Sequence, residues 1–266
     1  MMRENNWMSC LRTAFFLLTA GLIAGCAGVG GNHFSGMDAN SLLNAIDLDD
    51  AEAVRAAVRR NAVGINQSIP APAYSAGAPL IALAARAGSL QVLRYLISAG
   101  ADLNARTSAG ETPLMLASYF HGDEGAGYAE RHDQAVRMLI EAGAVIENDR
   151  HHYTPLAYAA YNNRQAAVRY LIERGARVDA DASGRVAYIN TPLIMAAIQG
   201  HREIVRTLLR AGADPLVRVH LGNTARELAI KYRHTHIEPL LACAESVPHG
   251  GHYARHCENK SVAVTY

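Results

Sequence analysis

The stretch Thr191 to Ala213, TPLIMAAIQGHREIVRTLLRAGA, decides the fold. Thr191 before Pro192 is a helix entry, since proline is welcome in the first helical turn, where its missing N–H is no loss. Ala196 and Ala197 on the first segment are small enough to let a neighbouring helix approach closely. The second segment, REIVRTLLR, carries Ile204, Val205, Leu208 and Leu209 at helical spacing. Gly212 then ends it, as a left-handed C-terminal residue requires.

The same phrase recurs along the chain. Thr112-Pro113-Leu114 and Thr154-Pro155-Leu156 repeat the entry, Ala78-Pro79-Leu80 is a degenerate copy, and Thr224-Ala225 begins a further one. Gly-Ala pairs close the units at Gly100-Ala101, Gly143-Ala144, Gly175-Ala176 and Gly212-Ala213. The residues after them, such as Ala101-Asp102-Leu103-Asn104-Ala105, read as an extended finger. Successive entries lie 34, 42, 37 and 33 residues apart. Both phrases, Thr-Pro-Leu and Gly-Ala-Asp, resemble the ankyrin repeat, whose period is about 33 residues. The resemblance covers about residues 40–242. It implies an all-α solenoid of about six helix-pair units with hairpin fingers along one edge. Residues 41–65 fit a divergent first unit and 224–242 a polar last one, as expected of units that cap a stack.

The sequence departs from the family pattern in three places. The family's histidine after Thr-Pro-Leu is replaced by Met115, Ala157 and Ile194, so its hydrogen bonds are absent or supplied otherwise. One extra residue between Pro79 and Gly88 leaves that helix entry open. The preceding loop, IPAPAYSAGA, has two prolines and shows no strand pattern.

Extra length in a repeat maps to loops on one face, often the binding face. The 42-residue spacing places about ten added residues near HGDEGAGYAER (121–131), between the helices of the third unit and after Tyr119-Phe120. The resemblance implies that this end of the first helix faces the concave groove. Two readings of the aromatics are open: a partner anchor, or a local mini-core under the insertion. The finger after Gly175 is also long, with Arg185 and Tyr188 near its tip. Tyr153 and Tyr161 fall on the same side, and Arg150-His151-His152 on a finger tip, where a solvated turn and a partner contact are both open. The chain has 12 tyrosines against 4 phenylalanines, and tyrosine suits an exposed, adaptable surface better than a dry core. The partner-binding candidates are therefore Tyr119, Phe120, Arg150, His151, His152, Tyr153, Tyr161, Arg185 and Tyr188.

The beginning of the chain carries an address. Arg3 and Arg12 give a positive n-region before an apolar run from Thr13 to Ala24 that is 12 residues long. A membrane-spanning helix needs about 20, so the pattern is that of a signal peptide over residues 1–25. Leu22-Ile23-Ala24-Gly25-Cys26 resembles the lipobox of bacterial lipoproteins. The resemblance implies cleavage before Cys26, a lipid on its thiol, and outer-membrane sorting, because Ala27 follows. An ordinary signal peptide with a chance cysteine is the alternative. Residues 26–39 then form the lipidated cysteine and a Gly-rich flexible tether. Removing 1–25 takes Lys+Arg from 25 to 23 and Asp+Glu from 24 to 23, leaving a neutral chain. No clustered basic footprint for nucleic acid appears along the sequence.

Cys243 and Cys257 remain, an even pair in an oxidising compartment, and point to a disulfide within a C-terminal tail over 243–266. His249, His252, His256 and Cys257 leave a zinc site as the alternative, without a recognisable zinc spacing. Asp179, Asp181 and Ser183 alternate like part of a calcium loop but lack its other ligands and terminal glutamate. No nucleophile elbow, zincin motif or phosphate loop is present. The chain is therefore read as non-enzymatic, without cofactor or metal, and monomeric when free. The expectation is a periplasmic, lipid-anchored binder of one protein partner. Its sharpest form is an immunity protein neutralising a toxic effector, such as a phospholipase delivered by a type VI secretion system. The alternative is an envelope scaffold or oxidative-stress-protection protein.

Overall fold

The computed structural model describes residues 38–119, 126–147, 153–179, 182–183, 186–187, 191–219, 222–247, 253 and 256–257. The expected signal peptide, Cys26 and its tether up to residue 37 lie outside the described residues.

The threonine phrase does what its chemistry requires. Thr112, Thr154, Thr191 and Thr224 each stand in extended conformation before a helix, and each hydroxyl accepts the backbone N–H three residues on. The helices they open are α5 (Pro113–Ser118), α7 (Pro155–Tyr161), α9 (Pro192–Gln199) and α11 (Ala225–Lys231). At Thr224 the cap is reciprocal, since Glu227 reaches back to the Thr224 N–H at 2.9 Å.

The degenerate copy is shifted by one residue from the expected alignment. Helix α3 (Leu80–Ala87) has Pro79 as its N-cap, outside the helix at φ −62°, ψ 147° and without a capping side chain. Leu80 thus occupies the place held elsewhere by proline, and this absorbs the extra residue. The loop before it also differs from expectation. Ser68–Ala71 (β1) and Tyr74–Pro79 (β2) form an antiparallel hairpin, with Ile69 opposite Ala78 and Ala71 opposite Tyr74. Alternation fails to announce it because Pro70, which has no N–H to donate, sits where the register shifts. Gly77 (φ +83°) lies so close to the facing strand that a Cβ would come within 2.6 Å of the Ile69 carbonyl oxygen.

The first helices α1 (Ala39–Asp47), α3, α5, α7, α9 and α11 pack in that order as one layer. The second helices α2 (Ala51–Arg59), α4 (Leu90–Ser98), α6 (Ala126–Glu141), α8 (Gln165–Glu173) and α10 (Arg202–Arg210) form the other. Fully buried alanines, among them Ala84, Ala117, Ala160 and Ala197, let the first helices approach closely. Val54, Leu93, Leu139, Leu171 and Leu208 on the second helices fill the space between layers. Helix α6 has 16 residues where α4, α8 and α10 have nine. Half of the expected inter-helix insertion is therefore the first turns of a lengthened helix.

Two hydrogen-bond ladders tie unit to unit. In the first, a side chain from the later part of a unit donates to a carbonyl near the end of the preceding unit's first helix. Ser89 reaches Ile46, His132 reaches Arg86, His201 reaches Tyr161 and His234 reaches Ile198, at 2.5 to 3.0 Å. Such carbonyls have no partner within their own helix. In the lengthened unit the ladder shifts: Arg164 takes the Ala129 carbonyl and the Asp133 carboxylate of α6 instead. The second ladder runs along the fingers. Asn66, Asn104, Glu147 and Asp179 accept the backbone N–H of Asp102, Val145, Arg177 and Asp214, each just after a Gly-Ala pair. Glycine is required beside the first ladder: a Cβ on Gly200 (φ +74°) would lie 2.6 Å from the His234 ring.

The stack runs past residue 242. Helix α12 (Glu238–Glu245) contains Cys243, whose sulfur is bonded to that of Cys257. Arg226 of α11 pairs with Glu238 at 2.5 Å and with Glu245 at 3.2 Å, and Tyr253 is buried, so the tail closes the last unit. The fingers of the fourth and fifth units join as a small sheet, β3 (Ala182–Ser183), β4 (Val186–Ala187) and β5 (Arg218–Val219). No helix among the described residues is long and apolar enough to cross a membrane.

Candidate functional site

Position four of the first helices holds Leu83, Leu116, Tyr158 and Met195, one in each of four consecutive units. Leu83, Leu116 and Met195 keep an exposure of 4 to 7% while their helix neighbours fall to 0 or 1%, so this row lies at the edge of the core. Tyr158 is the large member, and other tyrosines gather around it. Tyr119, at the C-terminus of α5, meets it edge to face, with ring centroids 5.1 Å apart and planes at 83°. Tyr153, just before the cap of α7, meets it from another side at 5.8 Å and 68°. Such pairs contribute about 0.5–1.5 kcal/mol beyond their buried area. Tyr161, one turn after Tyr158, is close enough to act electrostatically on both Tyr119 and Tyr153. Tyr74 of β2 acts on Tyr158 in the same way and brings the hairpin to the cluster.

Burial sets the chemistry of these phenols. It pushes Tyr119 up to about 12, with Tyr161 and Glu111 adding to the effect and Arg86 opposing it. It pushes Tyr74 to about 12, with the negative charge of Glu111 adding to it. Tyr158, the most enclosed, is raised further by burial and then by Glu111. All stay neutral near pH 7, as hydrogen-bonding rings rather than charges. Arg86 lies over Tyr74, with its guanidinium carbon 5.5 Å from the ring centroid. Among the described residues no group of three His, Cys, Asp or Glu could hold a metal ion.

Of the residues expected from sequence, the structure brings together Tyr119, Tyr153 and Tyr161. Phe120, Arg150, His151, His152, Arg185 and Tyr188 lie outside the described residues. Sequence reasoning missed Tyr158, Tyr74, Arg86 and Glu111. Tyr158 was within reach, since it stands three residues before Tyr161 on one short helix. Tyr74 was hidden in a loop whose hairpin the prolines disguise. The described part of the insertion makes contacts within helix α6. Arg131 lies over Tyr128, and the Tyr128 carbonyl faces Nδ1 of His132 at 2.9 Å.

Comparison with known proteins identifies the repeats. A family model described as "Ankyrin repeats (3 copies)" matches residues 126–182, and one described as "Ankyrin repeats (many copies)" matches 81–125 and 156–209. The palmitoyltransferase Hip14 of Drosophila melanogaster is 45% identical over 84 residues, 31% of this chain and 13% of that protein. The mouse ankyrin repeat and SOCS box protein 16 is 40% identical over 153 residues, 58% of this chain and 25% of its own length. The bovine mitochondrial disaggregase is 29% identical over 164 residues, 61% of this chain and 22% of its own. The chain thus spans a quarter or less of the length of these relatives. The palmitoyltransferases match in the repeat region alone.

Proposed function

We propose that this chain, whose residues 81–209 carry ankyrin repeats, holds one protein partner against the tyrosine cluster. Ankyrin repeats imply protein–protein interaction. The observation that carries the proposal is the meeting of Tyr119, Tyr153 and Tyr158 from two consecutive units, each ring only partly exposed. Partly sheltered tyrosines with fixed rings and polar tips are the side chains on which interface energy concentrates. The bound chain runs across the third and fourth units. Phe120, Arg150, His151, His152, Arg185 and Tyr188 belong to the same proposed surface.

The address is part of the proposal. Cys26 carries a lipid, residues 27–39 are the tether, and the repeats face the periplasm from the outer membrane. In its sharpest form the protein is an immunity protein that neutralises a secreted toxic effector such as a type VI phospholipase. The support is the lipobox-like LIAGC and the ankyrin repeats, which imply protein–protein interaction.

The test is capture from periplasmic extract by the full-length protein, beside protection against a cognate effector. Wild type should retain one partner that Tyr161→Ala loses while keeping its melting curve; Tyr158→Ala should lose it too, but at a cost in stability from its two ring contacts. If both variants capture and protect as wild type does, the cluster is not the interface. A captured partner without toxicity moves the reading to an envelope scaffold.

A further inference from the structure

We infer that the second-helix face of the stack lies on an anionic phospholipid bilayer, held there by a row of arginines. Of the proposed function, the inference rests on the lipid anchor alone.

Position five of every second helix is an arginine. With the last nine residues of α6 aligned to the others, the five are Arg55, Arg94, Arg137, Arg169 and Arg206. Position four holds Val54, Leu93, Val136, Val168 and Val205, all fully buried. One step round the helix, the arginines reach solvent. Arg94, Arg137 and Arg169 are exposed, and Arg55 and Arg206 keep 35% and 29% exposure. They stand 32 to 43 residues apart in sequence, so no basic run announces them. Successive second helices pack side by side. At about 8–10 Å between helix axes, the row is on the order of 35 Å long.

Two tyrosines at position six brace it. Arg55 lies over Tyr95 of the next unit at 5.1 Å, and Arg137 over Tyr170 at 4.5 Å. A guanidinium stacked on a ring keeps its edge free to meet a phosphate with two N–H donors at once. At the ends of the row Glu52 and Glu203 pair with Arg55 and Arg206. In the middle, no ion pair among the described residues engages Arg94, Arg137 or Arg169.

The charge of the molecule is divided accordingly. Residues 51–60, 90–99, 126–142, 165–174 and 202–211 carry eleven arginines against six carboxylates, a net +5. The other described residues carry eight basic side chains against twelve carboxylates, a net −4. Two observations favour a bilayer over an acidic peptide. The surplus spreads beyond the row, with Arg59 and Arg60 exposed at one end and Arg202 and Arg210 at the other. Eleven residues separate Cys26 from Asp38, at most about 40 Å of chain, so an anchored lipid keeps this face within reach of the surface. Tyr119, Tyr158 and Tyr161 belong to the first-helix layer, which the bilayer leaves uncovered.

The experiment is flotation of the full-length protein with vesicles of phosphatidylcholine alone or with phosphatidylglycerol added. Each arginine near an anionic surface strengthens binding about fivefold, so three together contribute about 100-fold. Wild type should prefer the anionic vesicles by at least about that factor. Arg94→Gln/Arg137→Gln/Arg169→Gln should weaken binding to them about 100-fold and leave neutral vesicles unchanged. Arg177→Gln/Arg218→Gln/Lys231→Gln removes the same charge away from the face and should cost less than about fivefold. Raising salt from about 0.1 M to about 1 M, which shortens the Debye length from about 10 Å to about 3 Å, should abolish the preference. No preference in wild type, no loss in the row variant, or equal losses in the two triple variants overturns the inference. Neutral-vesicle binding that depends on Cys26, without an anionic preference, keeps the anchor and removes the face. An anionic preference that follows the row, with neutral binding indifferent to Cys26→Ser, keeps the face and removes the anchor. If the row variant loses a captured protein while wild type shows no vesicle preference, the face is a protein surface and the inference fails.

Discussion

Asp179→Asn should make the protein more stable at neutral pH and flatten its pH profile between 4 and 7.5. Asp179 is the fourth rung of the finger ladder. Its Oδ2 accepts the Asp214 N–H at 2.9 Å, while its Oδ1 is buried and has no hydrogen-bond partner among the described residues. Burial raises its pKa from 3.8 to about 6; the Asp214 N–H opposes this and the Asp214 charge adds to it. The folded state therefore holds the proton more tightly than the unfolded chain does. This contribution to stability is full below pH 3.8, falls as pH rises, and is lost above about 6. A shift of about two units corresponds to about 3 kcal/mol, and halving it for residual solvent screening gives about 1.5 kcal/mol. Asparagine already serves as the acceptor at Asn66 and Asn104 on the same ladder, so the Asp214 N–H keeps its partner. Urea unfolding followed by circular dichroism, with the disulfide intact, should be run for both proteins at pH 4, 5, 6 and 7.5. The stability lost by wild type between the extremes should exceed that lost by the variant by about 1.5–3 kcal/mol. His132 titrates in the opposite direction, since burial lowers its pKa and its contribution fades as pH falls below 6.5. It is common to both proteins and cancels in the difference. Parallel profiles would refute the reasoning and mean that the Asp179 carboxylate is solvated in solution.

The remaining expectations concern the stack, the tail and the address. Gly200→Ala should cost about 2–3 kcal/mol, because a left-handed residue gains a side chain and the His234 ring must move off Ile198. Gly175→Ala, also left-handed but with open space around it, should cost only about 1 kcal/mol, so equal losses in thermal or urea melts would discount the ring contact. Cys243→Ser opens a loop with a sequence separation of 14 and should lower stability by roughly 3 kcal/mol in the chain-entropy treatment, with reduction of wild type giving the same shift. Cys26→Ser should abolish palmitate labelling and release the protein from the membrane fraction; undiminished label in the variant sinks the lipid-anchor proposal.

Local chemistry settled most of the fold before any tertiary contact was known. Threonine-proline entries, buried alanines, branched residues at helical spacing and left-handed glycines each act within a few residues, so their meaning is legible in one dimension. They announce two helices per unit, and the recurring period announces a stack. Whether Cys243 and Cys257 bond was legible as an expectation for a similar reason, because they are an isolated pair close in sequence. What the tertiary structure alone decided lies between units. His201 and His234 look like two scattered histidines until stacking brings them under carbonyls 40 and 36 residues away. The one-residue shift at Pro79 depends on where the next helix must begin to keep its layer. The hairpin at 68–79 depends on backbone pairing that prolines conceal from any alternation rule. The tyrosine cluster is the clearest case. Tyr74, Tyr119 and Tyr158 are spread over 85 positions of sequence, and no local propensity relates them. They meet because a solenoid adds only one repeat's width for every 33 to 42 residues, and so lays the hairpin and the first helices of successive units side by side.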